Sequence, residues 1–153
     1  MKCLVIVDMQ YDFQASRKQE TINNVIREVC RAKEKNVPII ILEYSDHGHT
    51  HNSIVNTLGN YNKWIVVTKS TDDGSNEVLE GLNNLGIPAD YISRVVLTGV
   101  NFSYCVFSTA KGLTQVIPTS IVIKKSACNC TESSDWRGWV NEQLHEMGVR
   151  VTK

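Results

Sequence analysis

The chain has 153 residues, enough for one compact domain, residues 1–153, around a single buried core. Its 42% apolar and 21% charged content is ordinary for a globular protein. The 16 basic and 16 acidic residues cancel, which argues against nucleic acid or an anionic membrane surface as partner, and no apolar run is long enough to span a bilayer.

The first residues, MKCLVIVDMQ, resemble a signal peptide in outline, but they reach a carboxylate at Asp8 and no small-residue cleavage site follows. CLVIV, residues 3–7, is instead a continuous β-branched run, the pattern of a strand covered on both faces. Ile22, Val25, Ile26 and Val29 then recur at helical spacing, and Asn36-Val-Pro38 closes that helix because proline disfavours helix in the residue before it. VPIIILEY is a second buried strand, HNSIVNTL a short helix, and WIVVT, residues 64–68, a third strand. Val78, Leu79, Leu82 and Leu85 mark the next helix, which Gly86 stops. RVVLTGV is the fourth strand, Val106, Ala110 and Leu113 open another helix, and TSIVIK is the fifth strand. Ser133-Ser-Asp135 reads as a helix N-cap ahead of a stripe formed by Trp136, Trp139, Val140, Leu144 and Met147, and VRVT supplies a short sixth strand.

Strands alternating with helices imply right-handed crossovers, hence a mostly parallel sheet of five or six strands with helices on both faces. In such α/β folds the ligand crevice lies at the carboxyl ends of the strands. Three reactive side chains fall there. Asp8 ends the first strand, Lys69 ends the third, and Cys105 opens the helix after the fourth.

Taken singly, each has an ordinary reading: a capping aspartate, a solvated lysine, a packed thiol. Together they make coherent chemistry. A thiol attacks only as thiolate, and a helix N-terminus and a nearby ammonium both favour that form. Asp8 can take the thiol proton and deliver it to a leaving amine, while Lys69 holds Asp8 ionised. On this reading a mild alkylating agent reaches Cys105 before Cys3 or Cys30. The five cysteines, an odd number with no export signal, are expected as reduced thiols in a cytoplasmic protein, with Cys3 and Cys30 filling the core.

Three segments, VIVDMQYDF, VVTKSTDDGSNEVLEGL and LTGVNFSYCVFSTA, give the chain a resemblance to the isochorismatase-like cysteine hydrolases, a superfamily that includes nicotinamidases and N-carbamoylsarcosine amidohydrolase. The shared pattern is Asp in a D-x-Q-x-D-F setting, Lys after the third strand, and Cys in a G-V-x-x-x-x-C-V-x-x-T-A setting. The resemblance implies a three-layer α/β/α sandwich with Rossmann-like strand order and an Asp8, Lys69, Cys105 triad. It also implies a cis peptide between Val100 and Asn101, an oxyanion hole from the N–H groups of Asn101 and Cys105, and a covalent adduct on the sulfur. A small-molecule substrate, no required cofactor and a homo-oligomer are the matching expectations.

The chain departs from the pattern in two places. Nicotinamidases place an Asp-x-His and further histidines between the second and third strands to bind zinc or another divalent ion; here Asp46-His-Gly-His-Thr-His51 puts Gly48 where the first histidine belongs. Asp46, His49 and His51 are the alternative metal donors. The other departure is STDDGSN after Lys69, where relatives carry an aromatic, so the pocket stays open on that side. Phe13, Tyr44, Phe102 and Tyr104 are its candidate walls. Cys128-Asn-Cys130, placed in the loop after the fifth strand, is a weak metal or redox signal that would edge the same crevice. The two other readings are a metal-assisted nicotinamidase and an inactive relative that binds a small molecule.

Overall fold

The computed structural model describes residues 1–131 and 138–153. Six strands form one parallel sheet in the order β3-β2-β1-β4-β5-β6. They are β1 (Lys2–Val7), β2 (Ile39–Tyr44), β3 (Trp64–Lys69), β4 (Arg94–Val100), β5 (Ser120–Asn129) and β6 (Arg150–Thr152). The helices are α1 (Gln19–Glu34), α2 (Asn52–Leu58), α3 (Ser75–Asn84), α4 (Phe107–Val116) and α5 (Trp139–Glu146). The N-cap expected at Ser133–Asp135, and Trp136, lie outside the described residues.

Strand periodicity sorts β1 between two core layers. Cys3, Val5 and Val7 face a layer with Val78 and Leu82 of α3, Ala110 and Leu113 of α4, and Val140 and Leu144 of α5. Leu4 and Ile6 face the other way, against Val25 and Val29 of α1 and Ile54 and Leu58 of α2. Each such aliphatic side chain, fully buried, contributes about 1.5–3 kcal/mol. The result is the three-layer α/β/α sandwich that the sequence implies.

Two helix stops behave as read. Asn36 takes a left-handed φ of 58° after α1, with Pro38 beyond it. Gly86 takes a φ of 74° after α3, and the Ile87 N–H returns to the Leu82 C=O at 2.9 Å.

Two elements differ from expectation. β5 does not stop at Lys124 but runs to Asn129, so Cys128 lies in the strand rather than in a loop. The register shows why: Leu97 pairs with Ile123, yet Gly99 pairs with Cys128, so a polar bulge over residues 124–127 interrupts the apolar run without ending the strand. Asn24 Nδ2 of α1 donates to the Ser126 C=O at 2.7 Å and fastens that bulge. The second difference is at the start of α4, where Phe102–Val106 form a π turn leading into the helix proper.

Gly99 shows how tightly the centre of the sheet is built. It has a φ of 112°, and a Cβ placed there would lie 2.1 Å from the Val7 carbonyl oxygen. Only glycine lets β4 approach β1 where both strands reach the carboxyl edge.

Candidate active site

β1, β3 and β4 end at the same edge of the sheet, and their terminal residues meet. Asp8 follows β1 with a φ of 51°, and its N–H donates to the Leu42 C=O at 3.0 Å, continuing the strand pairing by one residue. Lys69 closes β3, and its Nζ lies 3.0 Å from Asp8 Oδ2. Asp8 is 1% exposed and Lys69 2%. No group donates to either Asp8 oxygen in good hydrogen-bond geometry among the described residues, so the ammonium is what compensates the buried carboxylate. Lys69 Nζ also donates to the Thr71 C=O at 2.9 Å and sits 4.1 Å from the centre of the Tyr44 ring.

Cys105 lies in the π turn, buried beside this pair. Its thiol donates to Asp72 Oδ1 at 3.7 Å, and it interacts directly with Asp8. Burial pushes the Asp8 carboxyl above the usual carboxylate range, and the Lys69 charge and the Cys105 thiol offset this only in part. Burial likewise pushes the Cys105 thiol up, with the Asp8 and then the Asp72 carboxylates adding to it and Lys69 opposing.

One ammonium does not outweigh burial and two carboxylates, so these surroundings favour the protonated thiol rather than the expected thiolate. Cys30 is exposed on α1 rather than filling the core as expected, whereas Cys3 and Cys105 are buried, so access alone favours Cys30 as the first thiol to be alkylated. Burial pushes Cys128 up to about 12, as for an inert core thiol.

The Val100–Asn101 peptide is cis, at the position the resemblance implies. The Asn101 C=O accepts from the N–H groups of Tyr104 and Val106, each at 3.1 Å, which winds the π turn. Its side-chain Oδ1 accepts from the Thr131 N–H at 2.9 Å and from Thr131 Oγ1 at 3.1 Å. Asn101 and Cys105 thus belong to one turn anchored at both ends.

Of the expected pocket walls, Phe13 and Tyr44 come together edge-on with ring centres 6.3 Å apart. His47 joins them, stacked on Phe13 at 4.7 Å and edge-on to Tyr44 at 5.4 Å. Tyr104 is 48% exposed. Phe102 is a correction: it is 0% exposed and packs into the core layer with Leu97 and Phe107 rather than lining a crevice.

The alternative metal donors do not converge. His49 Nδ1 sits 3.3 Å from Glu43 Oε1. His51 Nε2 is 2.9 Å from Ser16 Oγ, and burial holds its imidazole below the usual range. Asp46 occupies a left-handed turn with a φ of 66°. No group of three His, Cys, Asp or Glu side chains among the described residues is arranged to hold a metal ion. As a zinc site, Asp46, His49 and His51 do not fit.

Sequence reasoning passed over the side chains that hold this edge in place. Gln10, 0% exposed, donates through Nε2 to the carbonyls of Tyr44 at 2.9 Å and Gly48 at 2.8 Å, and accepts the Tyr44 N–H at 2.8 Å. Glu43 Oε2 accepts from the Thr50 N–H at 2.8 Å and its hydroxyl at 2.7 Å. Thr109 Oγ1 accepts the Gly74 N–H at 3.0 Å and donates to the Asp72 C=O at 3.3 Å, tying the loop after β3 to α4. Gln10 and Thr109 are the Q and the T of the motifs already quoted. Asp72 had no such signal.

Set against known proteins, residues 2–152 match the family model of the isochorismatase domain. No curated protein sequence matches the chain. Solved structures do. The MAR1 ribonuclease of Caenorhabditis elegans superposes with a TM-score of 0.80 at 19% identity, over 99% of this chain and 76% of that one. The nicotinamidase SaPncA of Staphylococcus aureus gives 0.80 at 15% identity, over 99% and 98%. The pyrazinamidase of Pyrococcus horikoshii in complex with zinc gives 0.75 at 18%, over 99% and 98%. At these identities the likeness is one of fold.

Proposed function

The chain belongs to the isochorismatase domain family, and on that premise we propose that it is a cysteine hydrolase cleaving the amide, or a related C–N bond, of a small molecule through a covalent adduct on Cys105. The observation that carries this reading is the buried Asp8–Lys69 pair at 3.0 Å, with the Cys105 thiol near enough to feel both charges. A packing role for these residues has no use for a base, a cation and a thiol sharing one low-dielectric hollow.

In the proposed reaction the thiol proton passes to Asp8 as Sγ forms a bond to the carbonyl carbon. Asp8, with its affinity for protons raised by burial, is matched to that transfer. Lys69 keeps Asp8 ionised beforehand and offsets the charge that develops on the adduct. The N–H groups of Asn101 and Cys105 are assigned to the oxyanion. Collapse breaks the C–N bond, Asp8 returns the proton to the amine, and the amine leaves. Water then gives a proton to Asp8 and attacks the thioester, the acid departs, and the sulfur takes the proton back.

Phe13, Tyr44 and His47 would flank a planar substrate on one side. The metal-assisted nicotinamidase alternative lacks comparable support, because His49 and His51 pair with Glu43 and Ser16 and no group of three donors is arranged to hold a metal among the described residues. An inactive binding relative would not need the triad intact.

The test is ammonia release from a panel of small amides, with intact-mass detection of an acyl adduct. Cys105→Ala is expected to lose at least about a thousandfold in rate and to form no adduct. Turnover surviving in Cys105→Ala, or no turnover and no adduct in the native chain across the panel, would overturn the reading.

A further inference from the structure

Asp72 is a carboxylate placed against the sulfur, and it does not serve the triad. It is exposed, and its Oδ1 accepts from the Cys105 thiol at 3.7 Å. Its charge works against a thiolate, so for activation alone it is a cost. It is nevertheless held firmly from both sides. Thr109 Oγ1 donates to its carbonyl at 3.3 Å, and Lys69 Nζ donates to the carbonyl of neighbouring Thr71 at 2.9 Å. Asp73 Oδ1 accepts the Ser75 N–H at 2.8 Å, and Gly112 leaves room for that carboxylate, since a Cβ there would stand 2.3 Å from it.

Any carbon that Cys105 attacks therefore lies within a few ångströms of Asp72. The surrounding field has the same sign. Asp73 and Glu77 follow on the same loop and helix, and Glu77 is held above the usual range by burial and then by Asp73 and Glu80. The facing cation, Lys69, is buried and already paired with Asp8. The Tyr44 ring stands beside it, with His47 packed against that ring and Phe13 against His47.

Building on the hydrolase reading above, we infer that Asp72 is a specificity-determining residue that selects small amides carrying a cationic or N–H-donating group close to the scissile carbon, and rejects anionic ones. A positive group there neutralises the carboxylate that otherwise opposes the thiolate. Binding of such a substrate then removes one of the smaller influences that oppose the thiolate, at the moment it is needed. An anionic group would meet Asp72 at close range, with Lys69, the buried cation that acts on the sulfur, already paired with Asp8.

The test needs no known substrate. In a Cys30→Ser background, Cys105 is treated with two methanethiosulfonates of equal size, one bearing trimethylammonium and one bearing sulfonate. In each case Sγ forms a disulfide with the reagent's sulfenyl sulfur, methanesulfinate leaves, and the thiol proton goes to Asp8 and then to water. Rates are followed by intact mass.

Asp72→Asn is expected to lower the cation-to-anion rate ratio at Cys105 by about tenfold, as for unit charges about 6 Å from a carboxylate in a water-like medium. Asp72→Glu is expected to keep the ratio of the native chain. An unchanged ratio in Asp72→Asn, with Cys105 still reacting, overturns this inference and leaves the hydrolase reading standing. Failure of Cys105 to react with either reagent, in either variant, removes both. In the amide panel, cationic amides are expected to outpace anionic ones in the native chain, and Asp72→Asn to narrow that gap mainly through KM.

Discussion

The ion pair between Asp8 and Lys69 fixes what each side chain can tolerate. Both are almost wholly enclosed, so neither charge has water to fall back on. Lys69→Met is expected to cost about 3–5 kcal/mol in urea unfolding at neutral pH, because it leaves a buried carboxylate with no counter-charge. The double variant Asp8→Asn/Lys69→Met, isosteric and neutral, is expected to recover most of that loss and none of the activity. A Lys69→Met protein as stable as the native chain would show that Asp8 takes up a proton or meets water rather than standing as an uncompensated buried charge. At this scale the sequence was informative about position and silent about state. Asp8 directly follows β1, Lys69 ends β3 and Cys105 lies in the turn after β4, so chain order sufficed to bring them to one edge. The charge on the sulfur depends first on burial, then on Asp8 and to a lesser degree on Asp72, 33 residues away in the chain, and no local pattern carries these.

Elements were legible wherever one periodicity ran without interruption. β1, β2, β4 and α1 have such runs and lie where their apolar patterns put them. β5 does not, because Lys124, Lys125 and Ser126 form a bulge that reads as an ending. The π turn was also hidden, since its wider winding is set by two N–H groups converging on the Asn101 carbonyl. The β1–β4 contact offers a direct check on how closely elements are fitted. Gly99→Ala would drive a methyl group against the Val7 backbone at a φ of 112°, whereas Gly86→Ala meets nothing within 4 Å at a φ of 74°. Gly86→Ala is expected to cost about 1 kcal/mol from its backbone conformation alone. Gly99→Ala should exceed about 3 kcal/mol, or prevent recovery of folded protein, because backbone rather than a flexible side chain must move. Equal costs in denaturant unfolding would mean that β4 has slack the geometry does not show.

For the molecule as a whole, buried thiols set an alkaline limit. Burial pushes both Cys3 and Cys128 from 9.0 to about 12. A raised folded value means the native state holds its proton longer than the unfolded chain. The stabilisation from each is complete below about pH 9 and is lost as pH climbs toward 12, at up to about 1.4 kcal/mol per pH unit per thiol. Melting temperatures are therefore expected to fall steeply above pH 9, and Cys3→Ala to flatten that fall whatever its effect at neutral pH. An unchanged slope in Cys3→Ala would place the alkaline loss elsewhere.

The order of strands has a last consequence. β3 is the outermost strand on its side, with β2 between it and β1, yet it ends in Lys69. The buried ion pair is thus split between the most sheltered strand and the rim. If the rim peels away during local opening, Asp8 loses its counter-charge before the interior comes apart. On the hydrolase reading proposed above, such a protein falls silent ahead of global unfolding, and a clamp that pins β3 down would be felt first in turnover and only later in the melt.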